Sequence, residues 1–152
     1  MKALVTGSNG FIGKKLVYLL KVKGFFVKEF DSATNKSVLN QSQLEQELKG
    51  TDIVFHLAAI LDEDDPQLFE VNVQGTKNIL EASSKAHVKQ FVFLSSVGVM
   101  GDVQEIADEN TPLNPKTRYE QSKAQAEQAV LSYQEVLPIT IIRSALVLGA
   151  NK

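Results

Sequence analysis

Residues 6–16 read TGSNGFIGKKL, with glycines at positions 7, 10 and 13 directly after the apolar-leaning run Ala3-Leu4-Val5-Thr6. A strand that turns through such a segment into a helix has a use for each glycine. The first allows the tight turn, the second lets backbone approach a pyrophosphate, and the third lets the helix pack on the strand, while the helix N-terminus meets the phosphate charge. The same residues would also make a tight strand-to-helix turn that binds nothing, so two readings stand on this feature alone. The second strand adds to the first reading. It ends in Phe30-Asp31, 18 residues beyond Gly13, where a carboxylate can accept from both ribose hydroxyls of an adenosine and repels a 2′-phosphate, which favours NAD over NADP. The other reading of Asp31 is a turn or helix-cap residue.

Outward from this loop, short apolar runs alternate with longer amphipathic ones. Strands are predicted at Lys2–Thr6, Phe25–Phe30, Ile53–Leu57, Phe91–Leu94 and Ile139–Ile142, and helices over 13–23, 41–49, 66–86 and 119–137. This alternation predicts an α/β, Rossmann-like, doubly wound parallel sheet with helices on both faces, in strand order 3-2-1-4-5-6. In the first helix Ile12, Leu16, Leu19 and Leu20 form the apolar stripe and the lysines fall elsewhere; Gly24 and Gly50 stand where helices end. At 152 residues the chain is one expected domain, 1–152, and a net charge of −2 offers no field for nucleic acid or an anionic membrane. The absence of cysteine removes disulfides, thiolate nucleophiles and thiolate metal sites. The run Asp62-Glu63-Asp64-Asp65 reads as helix-start charge and solvation, and no metal site is expected. Without a signal-peptide pattern or an apolar run of about 18 residues, a cytoplasmic location is expected.

The second constellation is Tyr119-Glu-Gln-Ser-Lys123. Tyr119, Lys123, Ala126, Val130, Tyr133 and Leu137 are spaced 4, 3, 4, 3 and 4, so the pair continues the stripe that faces the sheet. In one reading Lys123 snorkels to water and Tyr119 caps the stripe. In the other, a buried ammonium near a phenol favours phenolate and lowers the tyrosine from about 10 toward neutrality, so that it can exchange a proton with a substrate hydroxyl or carbonyl. Ser95-Ser96 closes the fourth strand at the carboxyl end of the sheet, either to hold the substrate oxygen or only to complete strand-end hydrogen bonds. His56 reads as a satisfied core histidine rather than an acid–base group, and Asn72 as a helix-kink or site residue.

These motifs, Thr6-Gly7-x-x-Gly10-Phe11-Ile12-Gly13, Asp31, Asp52-Ile53-Val54-Phe55-His56-Leu57-Ala58-Ala59, Asn72-Val73-Gln74-Gly75-Thr76, Ser95-Ser96, Tyr119-x-x-x-Lys123 and Arg143, together resemble the extended short-chain dehydrogenase/reductase family of nucleotide-sugar epimerases, dehydratases and reductase relatives. The resemblance spans nearly the whole chain. It implies an NAD-dependent epimerase or dehydrogenase of a nucleotide sugar that works by reversible hydride transfer at a secondary alcohol. The implied cofactor contacts are Gly7, Asn9, Gly10, Phe11, Ile12, Asp31, Leu57, Ala58, Ala59, Tyr119 and Lys123, and the implied catalytic group is Ser96, Tyr119 and Lys123. Ser96 and Tyr119 would flank the reacting oxygen, with Tyr119 as acid/base, and Lys123 would hold the nicotinamide ribose. A homodimer through the helices around 75–86 and 119–137 is also implied, with Ala82, Ala129 and Leu131 on their outward sides.

Departures from the family pattern are informative. Where its dehydratases carry two acidic residues after the catalytic hydroxyl, this chain has Val97 and Gly98, so elimination lacks its acid–base pair. Arg143-Ser144-Ala145-Leu146-Val147-Leu148-Gly149 resembles the family's Arg-Pro-x-Asn-Val-Tyr-Gly but has leucine at the asparagine that often helps hold a sugar nucleotide, which keeps reductases of non-sugar carbonyls in play. Ser37-Val38 stands where the family often has an acidic residue near adenine. Family members usually continue for a hundred or more residues that supply most of the substrate pocket, so a C-terminal substrate domain is expected to be missing. On that expectation the chain binds NAD yet turns over little by itself, and a non-catalytic NAD-binding or scaffold protein is the alternative.

Overall fold

Ala3, Leu4 and Val5 are completely buried, which requires β1 (Lys2–Thr6) to be covered on both faces and paired on both edges. In the computed structural model, which describes residues 1–103 and 106–149, it lies between β2 (Phe26–Phe30) and β3 (Ile53–His56). β4 (Gln90–Ser96) and β5 (Ile139–Ser144) complete a parallel sheet in the order β2-β1-β3-β4-β5. Residues 150–152 of the expected domain lie outside the described residues.

The connection from β1 to β2 moves one way along the sheet, and those from β3 to β4 to β5 move the other. Right-handed crossovers therefore put α1 (Phe11–Val22) on one face and α3 (Gly75–Lys85) and α4 (Arg118–Leu131) on the opposite face, joined there by α2 (Gln41–Leu48), which crosses back over β1. The buried side chains divide accordingly. Leu44, Leu48, Ile79, Leu80, Ala126 and Val130 pack on Leu4, Val54, Phe91 and Phe93. Val17 and Leu20 pack on Ala3 and Val5. The doubly wound sheet reverses direction between β1 and β3, and the carboxyl ends of those strands flank the resulting crevice.

The expected order 3-2-1-4-5-6 is corrected to five strands, because no strand lies outside β2 among the described residues. Residues 32–51 are spent on a single 3-10 turn, Ser32–Thr34, and on α2, which must travel straight to β3. β2 is thus an edge strand, and Lys36 lies along it, its Nζ donating to the Glu29 carbonyl at 3.1 Å. Leu19 is 53% exposed, so the buried stripe of α1 is Gly13, Val17 and Leu20. The predicted helix over 66–86 is regular only from Gly75; a π turn over Glu70–Gln74 precedes it and carries Asn72 into the interior. α4 ends at Leu131 rather than 137, closed by Ser132. Ala82 is buried in the core and cannot lie on an outward face. No helix among the described residues is long and apolar enough to cross a membrane.

Gly13 sits where α1 meets its own loop, and a Cβ there would collide with the Gly7 carbonyl. Gly13→Ala is expected to destabilise the protein by about 1–3 kcal/mol through overpacking against backbone. The solvent-exposed Lys15→Ala on the same helix should change stability by less than about 0.5 kcal/mol. Urea unfolding of both variants tests the contrast.

Candidate active site

The glycine loop begins with Gly7 in the left-handed region, φ 66°, and a Cβ on it would lie 2.8 Å from Ala58 N. Only glycine permits both this turn and this approach of β1's end to β3's end. Gly10 N–H donates back to the Gly7 carbonyl at 3.0 Å, and Gly10 is the N-cap of α1 with no side-chain cap and no acidic residue in the first turn. Asn40 caps α2 and a Thr117/Glu120 capping box closes α4, whereas the first amides of α1 are left for something else. Ser8 Oγ beside them is buried and unpartnered. Phe11 and Ile12 are half-buried at this helix start. Uncapped donors, an orphaned hydroxyl and a backbone free of side chains are what a dinucleotide pyrophosphate requires, so these residues fit NAD.

Asp31 follows β2 and is the turn cap of the second reading. Its Oδ1 accepts from Ala33 N at 3.0 Å, capping the following turn, and its Oδ2 accepts from Asn9 N at 2.9 Å, tying β2 to the glycine loop. Leu57, Ala58 and Ala59 line the other lip of the crevice, with the amides of Leu57 and Ala58 both donating to Thr6 Oγ1 at 3.1 Å. His56 is 1% exposed, and burial holds its imidazole down to about 3, with the Lys123 charge adding to the effect. It is the satisfied core histidine that was expected, bonded through Nδ1 to Thr6 Oγ1 at 2.7 Å and through Nε2 to Thr76 Oγ1 at 2.9 Å.

At the end of β4, Ser96 Oγ accepts from Gly98 N at 3.1 Å, which orients its hydroxyl. Ser95 points the opposite way and is buried with Oγ unpartnered. Tyr119 lies in the first turn of α4 and Lys123 one turn further on. Lys123 is 3% exposed; its Nζ donates to the Leu94 carbonyl at 2.7 Å and sits 4.1 Å from the centre of the Phe93 ring. Burial draws this ammonium down to about 7, while Glu127 works in the opposite direction. It therefore does not snorkel. The expected lowering of Tyr119 is corrected: burial raises the phenol.

Glu127, fully buried one turn beyond Lys123, is held by Arg143 of β5, with Nη2 to Oε2 at 2.9 Å and Nε to Oε1 at 3.1 Å. The i, i+4 spacing from Lys123 was the signal for Glu127; nothing local marked Thr6, Thr76 or Ser122, whose partners are remote in sequence. The acidic run forms local turns, Asp62 Oδ1 accepting from Asp64 N at 3.0 Å and Asp65 Oδ1 from Gln67 N at 2.7 Å.

Proteins built around such a crevice are Rossmann-type dinucleotide folds. The chain belongs to the NAD dependent epimerase/dehydratase family, whose model matches residues 3–152. It is 35% identical to the N-acetyl-alpha-D-glucosaminyl-diphospho-ditrans,octacis-undecaprenol 4-epimerase of Escherichia coli, over 96% of this chain and 49% of that protein. It is 32% identical to a 3-beta-hydroxysteroid dehydrogenase of Mycolicibacterium neoaurum, over 86% of this chain and 42% of that one. The crystal structure of Thermus thermophilus UDP-glucose 4-epimerase in complex with NAD superposes with a TM-score of 0.85 at 30% identity, covering 94% of this chain and 54% of that one. The chain thus spans about half the length of the relatives it matches.

Lys123 holds its proton less tightly when folded than when unfolded, so its cost to stability is full below about pH 7 and is relieved as pH rises toward the unfolded lysine value. Lys123→Met is expected to raise stability by a few kcal/mol near pH 6.5, with the gain shrinking as pH approaches about 10. Urea unfolding across that range measures it.

Proposed function

We propose that this protein binds NAD at the β1/β3 crevice and carries out reversible hydride transfer at a secondary alcohol of a nucleotide sugar, as an epimerase or dehydrogenase. The observation that carries the reading is the buried Lys123 one turn from Tyr119, beside a helix start left without a cap. A lysine that a core would be better without marks a site kept for chemistry. The relatives named above support the same class, one of them being a UDP-glucose epimerase with NAD.

NAD, when bound, supplies the hydride acceptor and a fixed positive charge. The chain's own residues do the rest. The first amides of α1, from Phe11 and Ile12, and the Ser8 hydroxyl hold the pyrophosphate, and Asp31 receives the adenosine ribose. Leu57, Ala58 and Ala59 wall the dinucleotide, and Lys123 holds the nicotinamide ribose. Ser96 donates its hydroxyl hydrogen to the substrate oxygen. With Lys123 turned from the Leu94 carbonyl to the nicotinamide ribose, its ammonium and the positive charge of bound NAD would favour the Tyr119 phenolate, which takes the hydroxyl proton as the carbon gives its hydride to NAD and returns the proton when hydride comes back. With Val97 and Gly98 after Ser96, elimination has no carboxylates there to drive it. Leu146, exposed after β5, favours a second reading in which the substrate is a non-sugar carbonyl or alcohol, as in the steroid dehydrogenase relative. We further propose a homodimer through α3 and α4, with Ala129 and Leu131 on the α4 side; a monomer at every concentration in sedimentation would overturn it.

Calorimetric titration is expected to show tighter binding of NAD than NADP, with the gap narrowed in Asp31→Ala. Tighter NADP binding by the unmodified protein contradicts the assignment of Asp31. In the intact enzyme Tyr119→Phe should lower kcat by about 10²-fold or more, with NAD affinity changed far less. A panel of nucleotide sugars against steroid and simple alcohols, read as NADH formation, separates the two substrate classes.

A further inference from the structure

Five buried polar side chains link the glycine loop to the start of α4, and the bonds among them run in one direction only. Thr6 Oγ1 accepts from the amides of Leu57 and Ala58, both at 3.1 Å, the Leu57 amide also reaching the Thr6 carbonyl at 3.3 Å. A hydroxyl has two acceptor positions and one hydrogen. With both acceptor positions filled, Thr6 can only donate, and the atom it meets is His56 Nδ1 at 2.7 Å. Nδ1 must then carry the lone pair and Nε2 the proton. Nε2 faces Thr76 Oγ1 at 2.9 Å, and Thr76 passes its own hydrogen to the Asn72 carbonyl at 2.7 Å. Amides can only donate and a carbonyl can only accept, so the direction is fixed at both ends.

Asn72 continues the connection. Its side chain holds Ile60 by N–H to Oδ1 at 2.8 Å and Nδ2 to carbonyl at 2.9 Å, and donates to Ser122 Oγ at 2.9 Å. Ser122 in turn donates to the Tyr119 carbonyl at 2.7 Å. Thr6, His56, Asn72, Thr76 and Ser122 are all at most 1% exposed, so none has water as a substitute partner.

We propose that His56, in its neutral Nε2–H form, is a positioning residue for the cofactor: through Thr6 it fixes Leu57 and Ala58 against the glycine loop. The assignment rests on the reading of that crevice as the NAD site. These two residues have little freedom elsewhere, since Gly7 and Ala58 approach too closely for a Cβ between them. Protonating Nδ1 would set an N–H against Thr6 with no acceptor position left. Burial opposes that protonation, as does Lys123 of α4; Phe91 and Phe93 of β4 supply only rings beside the imidazole.

Two measurements test this. In long-range ¹⁵N–¹H NMR of histidine-labelled protein, His56 should show a bare Nδ1 and a protonated Nε2, unchanged between about pH 8 and 5. An Nδ1–H tautomer, or an imidazolium in that range, overturns the chain of bonds whatever the ligand. In NAD calorimetry, Thr6→Ser should stay within about twofold of the unmodified protein and Thr6→Val should bind about tenfold or more weakly. His56→Asn keeps an acceptor at the Nδ1 position, and His56→Gln keeps only a donor at the Nε2 position. Asparagine should therefore retain more NAD affinity than glutamine, whichever of them costs more in Tm. Losses of affinity that simply follow Tm across the variants reduce His56 to packing and overturn the proposal. No NAD binding by the unmodified protein overturns the cofactor reading and this role with it, while the NMR result stands as a separate report on the bonds.

Discussion

The constraint on which the rest depends is the approach of two strand ends. Where the sheet reverses direction, β1 and β3 leave their shared register side by side, and the backbone after Thr6 comes so near the backbone after His56 that no Cβ fits between them. That proximity dictates glycine at position 7 and its left-handed turn, and it aims the start of α1 across the crevice. It also places the Thr6 hydroxyl within hydrogen-bond reach of two amides of the facing turn. A shift of one residue in the β1–β3 register would uncouple all of these at once, because side chains on a strand alternate between faces.

A second pressure acts on the opposite side of the crevice. α4 carries a lysine and a glutamate on the face that packs against the sheet, where apolar side chains would stabilise the fold better. The two charges are handled differently. Glu127 is matched by the two-pronged grip of Arg143, which gives the carboxylate a partner and leaves Lys123 without one. Lys123 is left a carbonyl and a ring face, and it loses much of its hold on its proton as a result. A direct Lys123–Glu127 pair would have been electrostatically easier for the lysine.

How much of this was readable in the sequence depended on range. The glycine spacing, the acidic end of β2 and the i, i+4 Tyr–Lys pair are local patterns, and each leads directly to a turn, a strand end or a helix face. Sheet order was less legible, because a strand missing between Asp31 and Asp52 leaves no mark except a short interval. Leu19 fitted the stripe by count alone, yet α1 is the one helix on its face of the sheet among the described residues, so its flank stays in water. The direction of the Lys123 ammonium depends on a carbonyl 29 residues away. The threonines that orient His56 lie 50 and 20 residues from it, and threonine at a strand end or helix start has too many ordinary uses to announce a partner.

The shortened sheet has a colloidal consequence. A strand with no outer neighbour offers its free amides and carbonyls to any other chain in extended form, the same groups that seed intermolecular sheets. β2 is only five residues long, and one of its outward carbonyls is already engaged by the charged end of Lys36, which also pairs with Glu47. Lys28, within the strand, is committed to the last carbonyls of α2. Lys36 thus covers part of this edge with a charge, and the protection it gives against edge-to-edge pairing depends on ionic strength.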